Sequence, residues 1–194
     1  TRLPGELVKH LTISNKPLIE LDMSNSQPFF ALSLFDPSPE VQKIIGSSFT
    51  IYAKSLQLTD KDDVKHYTSL VTEGRFYEYM MDQFKERNIK FVDSKDFKEQ
   101  CFKVFFSKNN SIKYNPAVRL FAESFPNVYR LFALIKKEEH SRLAIMLQRI
   151  EAYIMLDCVA RRLNESYPEL MFITKHDSIL PAISPDEADE VIKL

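Results

Sequence analysis

The spacing of hydrophobic positions changes character along the chain, and each change marks an element. Leu18-Ile19-Glu20-Leu21-Asp22, preceded by Lys16-Pro17, reads as a strand. Ser24-Asn25-Ser26 supplies helix-capping chemistry, and Gln27 to Phe35 follows with a proline near its start. From Ser38 to about Phe84 the pattern is helical. Pro39 suits a first turn, and Val41, Ile44 and Ile45 share a face that Gly46 can end. Asp60 is placed to cap a helix carrying Val64, Tyr67, Leu70 and Val71, and Gly74 breaks it before Phe76, Tyr77, Met80 and Phe84. Asp93-Ser94 opens a further helix to about Ser107, Asn109-Asn110-Ser111 is a loop, and helical pattern returns from about Pro116. A long helix spans about 138–165. Leu170 to Thr174 and Ser178 to Ile183 are two short apolar strands around Lys175-His176-Asp177, which is a hairpin. Ser184-Pro185-Asp186-Glu187 opens a last helix. This order predicts an α+β fold: a small antiparallel sheet packed on several helices, helix-rich overall.

Composition narrows the function. The chain has 194 residues, 44% hydrophobic and 27% charged, enough for a real core and unlike a disordered segment. Its three glycines, Gly5, Gly46 and Gly74, are far apart, which excludes glycine-rich dinucleotide and phosphate loops. Cys101 and Cys158 are distant in sequence and the four histidines are scattered. No zinc-ligand spacing exists, and reduced, intracellular thiols are expected. The longest apolar run, Pro28 to Phe35, is far too short to span a membrane, so no membrane partner is expected. Nothing reads as a signal peptide. The chain starts at Thr1 without a methionine and stops in a helix-like segment, so it is expected to be a piece of something longer.

The net charge of −1 points to no partner, but charge is uneven. Residues 85–113 hold eight Lys/Arg against four Asp/Glu, an excess of four positive charges. Within them Lys95, Lys98, Phe102 and Phe106 recur at spacings of three and four and share one helical face. Basic and aromatic groups on one face suit phosphates and bases. Phe97, Cys101, Val104 and Phe105 form the apolar face beside it.

Two acids stand out by position. Asp22 closes the first strand, and Asp177, 155 residues later, sits at the hairpin tip. If strand and hairpin pair, both carboxylates reach one edge of one sheet. Carboxylate oxygens suit Mg²⁺ or Mn²⁺, with substrate phosphates and water completing the shell. Two such ions activate a hydroxyl and stabilise a leaving pyrophosphate. Lys98 is the best candidate for a helix-borne cation facing the phosphates and protonating the leaving group.

These residues together resemble the palm and fingers of family A DNA polymerases and of single-subunit phage and mitochondrial RNA polymerases. Asp22-Met23-Ser24-Asn25-Ser26-Gln27 is similar to the first palm motif. Lys98, Phe102 and Phe106 are similar to the fingers-helix motif, with aromatic residues four and eight positions after the lysine. His176-Asp177-Ser178 is similar to the last palm motif, and Gln148 lies 28 residues ahead of it, where the family has a helix-borne Gln. The resemblance implies a single palm-like domain over residues 1–194, with a fingers-like helical insertion at about 37–137. It implies metal held by Asp22 and Asp177, aided by the Met23 carbonyl, and catalysis by these two with Lys98. Incoming nucleoside triphosphates would meet Met23, Gln27, Lys95, Phe102 and Phe106. Gln148 and His176 would approach a nucleic-acid primer or template.

The implied activity is template-directed nucleotidyl transfer. The implied partners are nucleic acid, nucleoside triphosphates and the missing domains of a longer polymerase, in the cytoplasm of a bacterium or a phage-infected cell. Three positions depart from the pattern. Ser94 stands where the family has Arg, with Lys95 or Lys90 as the nearest substitute. Phe106 stands for Tyr and Ser107 for Gly. The choice between ribo- and deoxyribonucleotides stays open. The alternative is a palm that has lost catalysis and only grips nucleic acid or regulates a partner.

Overall fold

The sheet is made by residues from opposite ends of the sequence. A computed structural model describes residues 10–23, 25–35, 37–46, 49–184 and 187. Its strands are β1 (Thr12–Ile13), β2 (Lys16–Pro17), β3 (Leu21–Asp22), β4 (Phe172–Lys175) and β5 (Ser178–Pro181). β1 and β2 form a two-stranded antiparallel ribbon, and a three-stranded antiparallel sheet has the order β3-β5-β4. The fold is therefore α+β and helix-rich, with small antiparallel sheets, as the sequence pattern predicts.

Leu21 opposes Ile179 and Asp22 opposes Ser178, while Leu18 bridges Ala182 in the same register. The Ile19 N–H donates to the Pro181 carbonyl at 3.1 Å. Pro181 has no N–H to return the second bond, so the expected 18–22 strand thins at Ile19. The alternation of side chains sorts the two faces. Leu18, Leu180 and Ala182 pack with Ile13 in one cluster, and Ile179 packs with Met155, Leu163, Met23 and Phe172 in another. A slip of one residue would exchange these faces, so apolar burial fixes the register that the acids inherit.

The chain divides into two compact units. The first joins Thr1–Ser24 to Glu151–Leu194 and carries the sheets; the second, Asn25–Ile150, is helical. The expected insertion of about 37–137 falls within the second. Its helices are α1 (Ser26–Leu32), α2 (Pro39–Ile45), α3 (Phe49–Leu58), α4 (Asp62–Thr72), α5 (Phe76–Glu86), α6 (Ser94–Phe106), α7 (Pro116–Ser124), α8 (Pro126–Ile135) and most of α9 (Arg142–Ala152). A 3₁₀ segment, Asn109–Lys113, occupies the expected loop. In the sheet unit the chain continues as a π-helix, Tyr153–Ala160, and α10 (Arg161–Ser166). The expected helix of 138–165 thus has a wider turn in its second half, which periodicity does not show.

The helical core is aromatic. Tyr67, Phe76, Phe121 and Phe125 meet at centroid distances of 5.2–6.3 Å. Such pairs add about 0.5–1.5 kcal/mol each beyond area burial. Phe105 of α6 joins them through Phe121 and Phe132, so the basic helix is anchored by its apolar face.

Two caps differ from expectation. Lys61, not Asp60, occupies the N-cap of α4. Asp63 in its first turn reaches across to α8, accepting from the Asn127 N–H at 2.7 Å and its Nδ2 at 2.8 Å. Asn25 precedes α1 in left-handed geometry (φ 56) and makes no side-chain cap. Gly74 ends α4 at φ +73, a region other residues enter at a cost. The expected last helix lies mostly outside the described residues, but its opening bond is present: the Ser184 N–H donates to Glu187 Oε2 at 2.8 Å.

Candidate active site

The antiparallel register carries the two acids to one end of the sheet. Asp22 is directly opposite Ser178, the residue after Asp177. One step further, the Met23 N–H donates to the Asp177 carbonyl at 3.2 Å. Asp177 therefore lies one ladder step from the partner of Asp22, near enough for its charge to act on the Asp22 carboxyl. His176 and Asp177 make the two-residue connection between Lys175 and Ser178. His176 adopts φ 52, a left-handed conformation in which histidine is enriched among non-glycine residues but still strained. Its imidazole is exposed, as is Asp22, and Asp177 is half-buried.

Charge is concentrated here. Partial burial raises the Asp22 carboxyl above its ordinary value, and the nearby charges of Asp177 and Glu20 raise it further; Lys175 and the Met23 N–H act the other way. Glu20 is a residue that sequence reasoning passed over. Its Oε1 accepts from Lys175 Nζ at 2.8 Å and from the Ser178 hydroxyl at 3.1 Å. The Lys175 hydrogen bond holds Glu20 below the usual carboxylate range. The signal was available: in a strand ending Glu20-Leu21-Asp22, alternation puts both acids on one face, and a lysine stands in the opposing hairpin.

The donor set is hard oxygen: two carboxylates with backbone carbonyls at a strand end. Among the described residues, no group of three or more His, Cys, Asp or Glu side chains is arranged to hold a metal ion. Such a site fits Mg²⁺ or Mn²⁺, which take one or two protein carboxylates and draw the remaining ligands from water and phosphate. Structural zinc, which needs four protein ligands, does not fit.

The other sequence-selected residues belong to the helical unit. Asp93 caps α6, accepting from the Asp96 N–H at 2.8 Å, and Asp96 accepts from the Val92 N–H at 3.0 Å. Phe97, Cys101, Val104 and Phe105 are buried. That leaves Lys95, Lys98 and Phe106 exposed and Phe102 half-buried. The rings of Phe102 and Phe106 are 6.1 Å apart, and Lys98 Nζ lies 5.8 Å from the centroid of the Tyr77 ring. Ser94, in place of the arginine, is exposed in the first turn.

Gln27 is half-buried on α1 and Gln148 exposed on α9. Lys136, unremarked in the sequence, is buried where α6 ends and donates to the Val104 carbonyl at 2.8 Å and the Ser107 carbonyl at 3.2 Å. Burial pushes its amine down to about 8. Both cysteines are free; burial pushes the Cys101 thiol up to about 12, and Cys158 is exposed. Among the described residues no helix is long and apolar enough to cross a membrane.

No protein-family model matches the chain, and no curated protein or solved structure matches it at a significant level.

Proposed function

We propose that the chain is the palm and fingers portion of a template-directed nucleotidyltransferase, adding nucleotides to a 3′-hydroxyl with release of pyrophosphate. One observation carries the reading: two carboxylates from opposite ends of the sequence lie one ladder step apart at one end of the sheet, and the Asp22 carboxyl, raised first by partial burial, is raised further by the charge of Asp177. Carboxylate oxygens so placed suit a hard divalent cation. Mg²⁺ or Mn²⁺, when bound, would supply charge neutralisation at the attacking and leaving oxygens.

The chain's own residues do the rest. Asp22 and Asp177, with the Met23 carbonyl, present oxygen ligands. Lys175, bonded to Glu20, partly offsets the negative charge beside them. Lys98 meets the phosphates of a nucleoside triphosphate and gives a proton to the departing pyrophosphate, and Phe102 and Phe106 offer ring faces to its base and sugar. Lys95 adds charge along the same face. Gln27 meets the sugar edge, and Gln148 and His176 meet the primer or template.

The test is metal-dependent extension of a primed template, or synthesis without primer, comparing the parent chain with Asp22→Ala and Asp177→Ala. Loss in both variants with the fold retained supports the assignment. Equal activity in all three removes it.

A second reading has its own support. The helix face carries Ser94 in place of an arginine fork and Phe106 without a hydroxyl, so the fold would grip nucleic acid without chemistry. This reading expects salt-sensitive binding and no incorporation. Incorporation by the purified chain excludes it.

A further inference from the structure

A second basic feature lies in the helical unit, away from α6 in sequence. An open groove of about 690 Å³ runs between α3 and the end of α8. It is lined by the apolar Ala53, Ala133 and Leu134 and by the polar Lys54, Gln57, Arg130 and Lys137. None of the lining residues is acidic. Lys54 Nζ is 3.4 Å from the neutral Gln57 Oε1, and among the described residues no salt bridge is formed by Lys54, Arg130 or Lys137. Glu138, the next acid in the chain, is paired with Arg142 at 3.4 Å. Three cations with no salt bridge among the described residues line one groove of a chain whose net charge is −1.

Arg130 and Lys137 are seven residues apart, which along a helix is about 10 Å. With Lys54 on the facing helix, this spacing distributes three cations along the groove, a pattern that suits an extended polyanion. The small apolar residues among the lining leave room for sugars and bases beside the cations, and the arginine fork matches phosphate geometry. We propose that this groove is a binding track for the backbone of single-stranded nucleic acid, with Lys54, Arg130 and Lys137 on successive phosphates. The inference is independent of chemistry at the sheet, and it stands if Asp22 and Asp177 catalyse nothing.

The experiment is fluorescence anisotropy of labelled oligothymidylate and oligouridylate across a salt series. The parent chain is compared with the triple variant K54Q/R130Q/K137Q and with a control triple, K61Q/K65Q/K85Q, of exposed lysines outside the groove. Removing three phosphate contacts should weaken binding about tenfold or more at low salt and flatten the log–log salt slope by about 2, at roughly 0.7 per contact on single strands. The control triple should change the slope by far less. Circular dichroism melting of each variant establishes that the fold persists.

Equal affinity and slope in the groove variant and the parent overturn the proposal, as does an equal effect in the control triple. Tighter binding of a polyglutamate peptide than of either oligonucleotide also overturns it, by assigning the groove to an acidic protein segment. Repeating the titration in Asp22→Ala keeps the two claims apart, because the track should bind there undiminished.

Discussion

The Met23 N–H donates to the Asp177 carbonyl at 3.2 Å, and this bond places Asp177 one step along the ladder from Asp22. Partial burial and, after it, the nearby charges of Asp177 and Glu20 disfavour the ionised Asp22 carboxyl. The folded Asp22 carboxyl titrates above 3.8, so between 3.8 and its raised value the native state holds more protons than the unfolded chain. Stability therefore falls as pH rises through that window, and the penalty is fully present at neutral pH. Asp22→Asn should leave the melting temperature at pH 7 unchanged or slightly higher, by about 0.5 kcal/mol or less for an exposed group, while abolishing nucleotide addition. A clear loss of stability would show that Asp22 is there to hold the fold.

Lys175 tempers this cluster through its bond to Glu20 and its charge near Asp22. In Lys175→Met both acids should titrate at higher pH than in the parent. Carbon-detected NMR titration of the Asp and Glu carboxyls reads this directly, and the pH profile of any activity should move the same way. The cost to stability should be within about 1 kcal/mol, as for other exposed pairs. An unmoved Asp22 titration would mean that the charges are screened from one another.

Lys136 provides a test of the α6 anchor. Burial holds its amine down at about 8 against 10.5 for an ordinary lysine, so from about pH 8 to 10.5 the unfolded chain holds more protons. Stability should climb across that window by about 3 kcal/mol and be level with respect to this group below it. Urea denaturation of the parent and of Lys136→Met gives the contribution as a difference, since the climb is absent from the variant. Parallel curves would show that water reaches the amine.

Lys98 is exposed beside Tyr77, so its substitution should spare the fold. Lys98→Ala should reduce kcat/KM for the nucleotide about a hundredfold, roughly 2.7 kcal/mol, if the amine meets the phosphates only as charge develops. A rise in KM with kcat intact would assign it to binding alone.

Much of this was legible in the sequence because it rested on short-range rules. Capping chemistry located α6 at Asp93, and spacing sorted its buried Phe97, Cys101, Val104 and Phe105 from its exposed Lys98 and Phe106. The pairing of strand 18–22 with the hairpin could only be supposed, since register over that separation is set by which apolar residues find a partner. Glu20 was missed although alternation puts it on the face of Asp22, because its partners Lys175 and Ser178 come within reach only across the folded sheet. Asp63 and Lys136 were missed for the same reason: each completes the end of a helix distant in sequence, at Asn127 and at Val104.

The central claim is that Asp22 and Asp177 share a divalent cation. Crystals of the chain soaked in Mn²⁺ and measured for anomalous scattering test it most directly. A peak within coordination distance of both carboxylates, lost in Asp177→Asn, is the expected result. Ordered carboxylates with no peak between them, or Mn²⁺ bound only elsewhere, would contradict it.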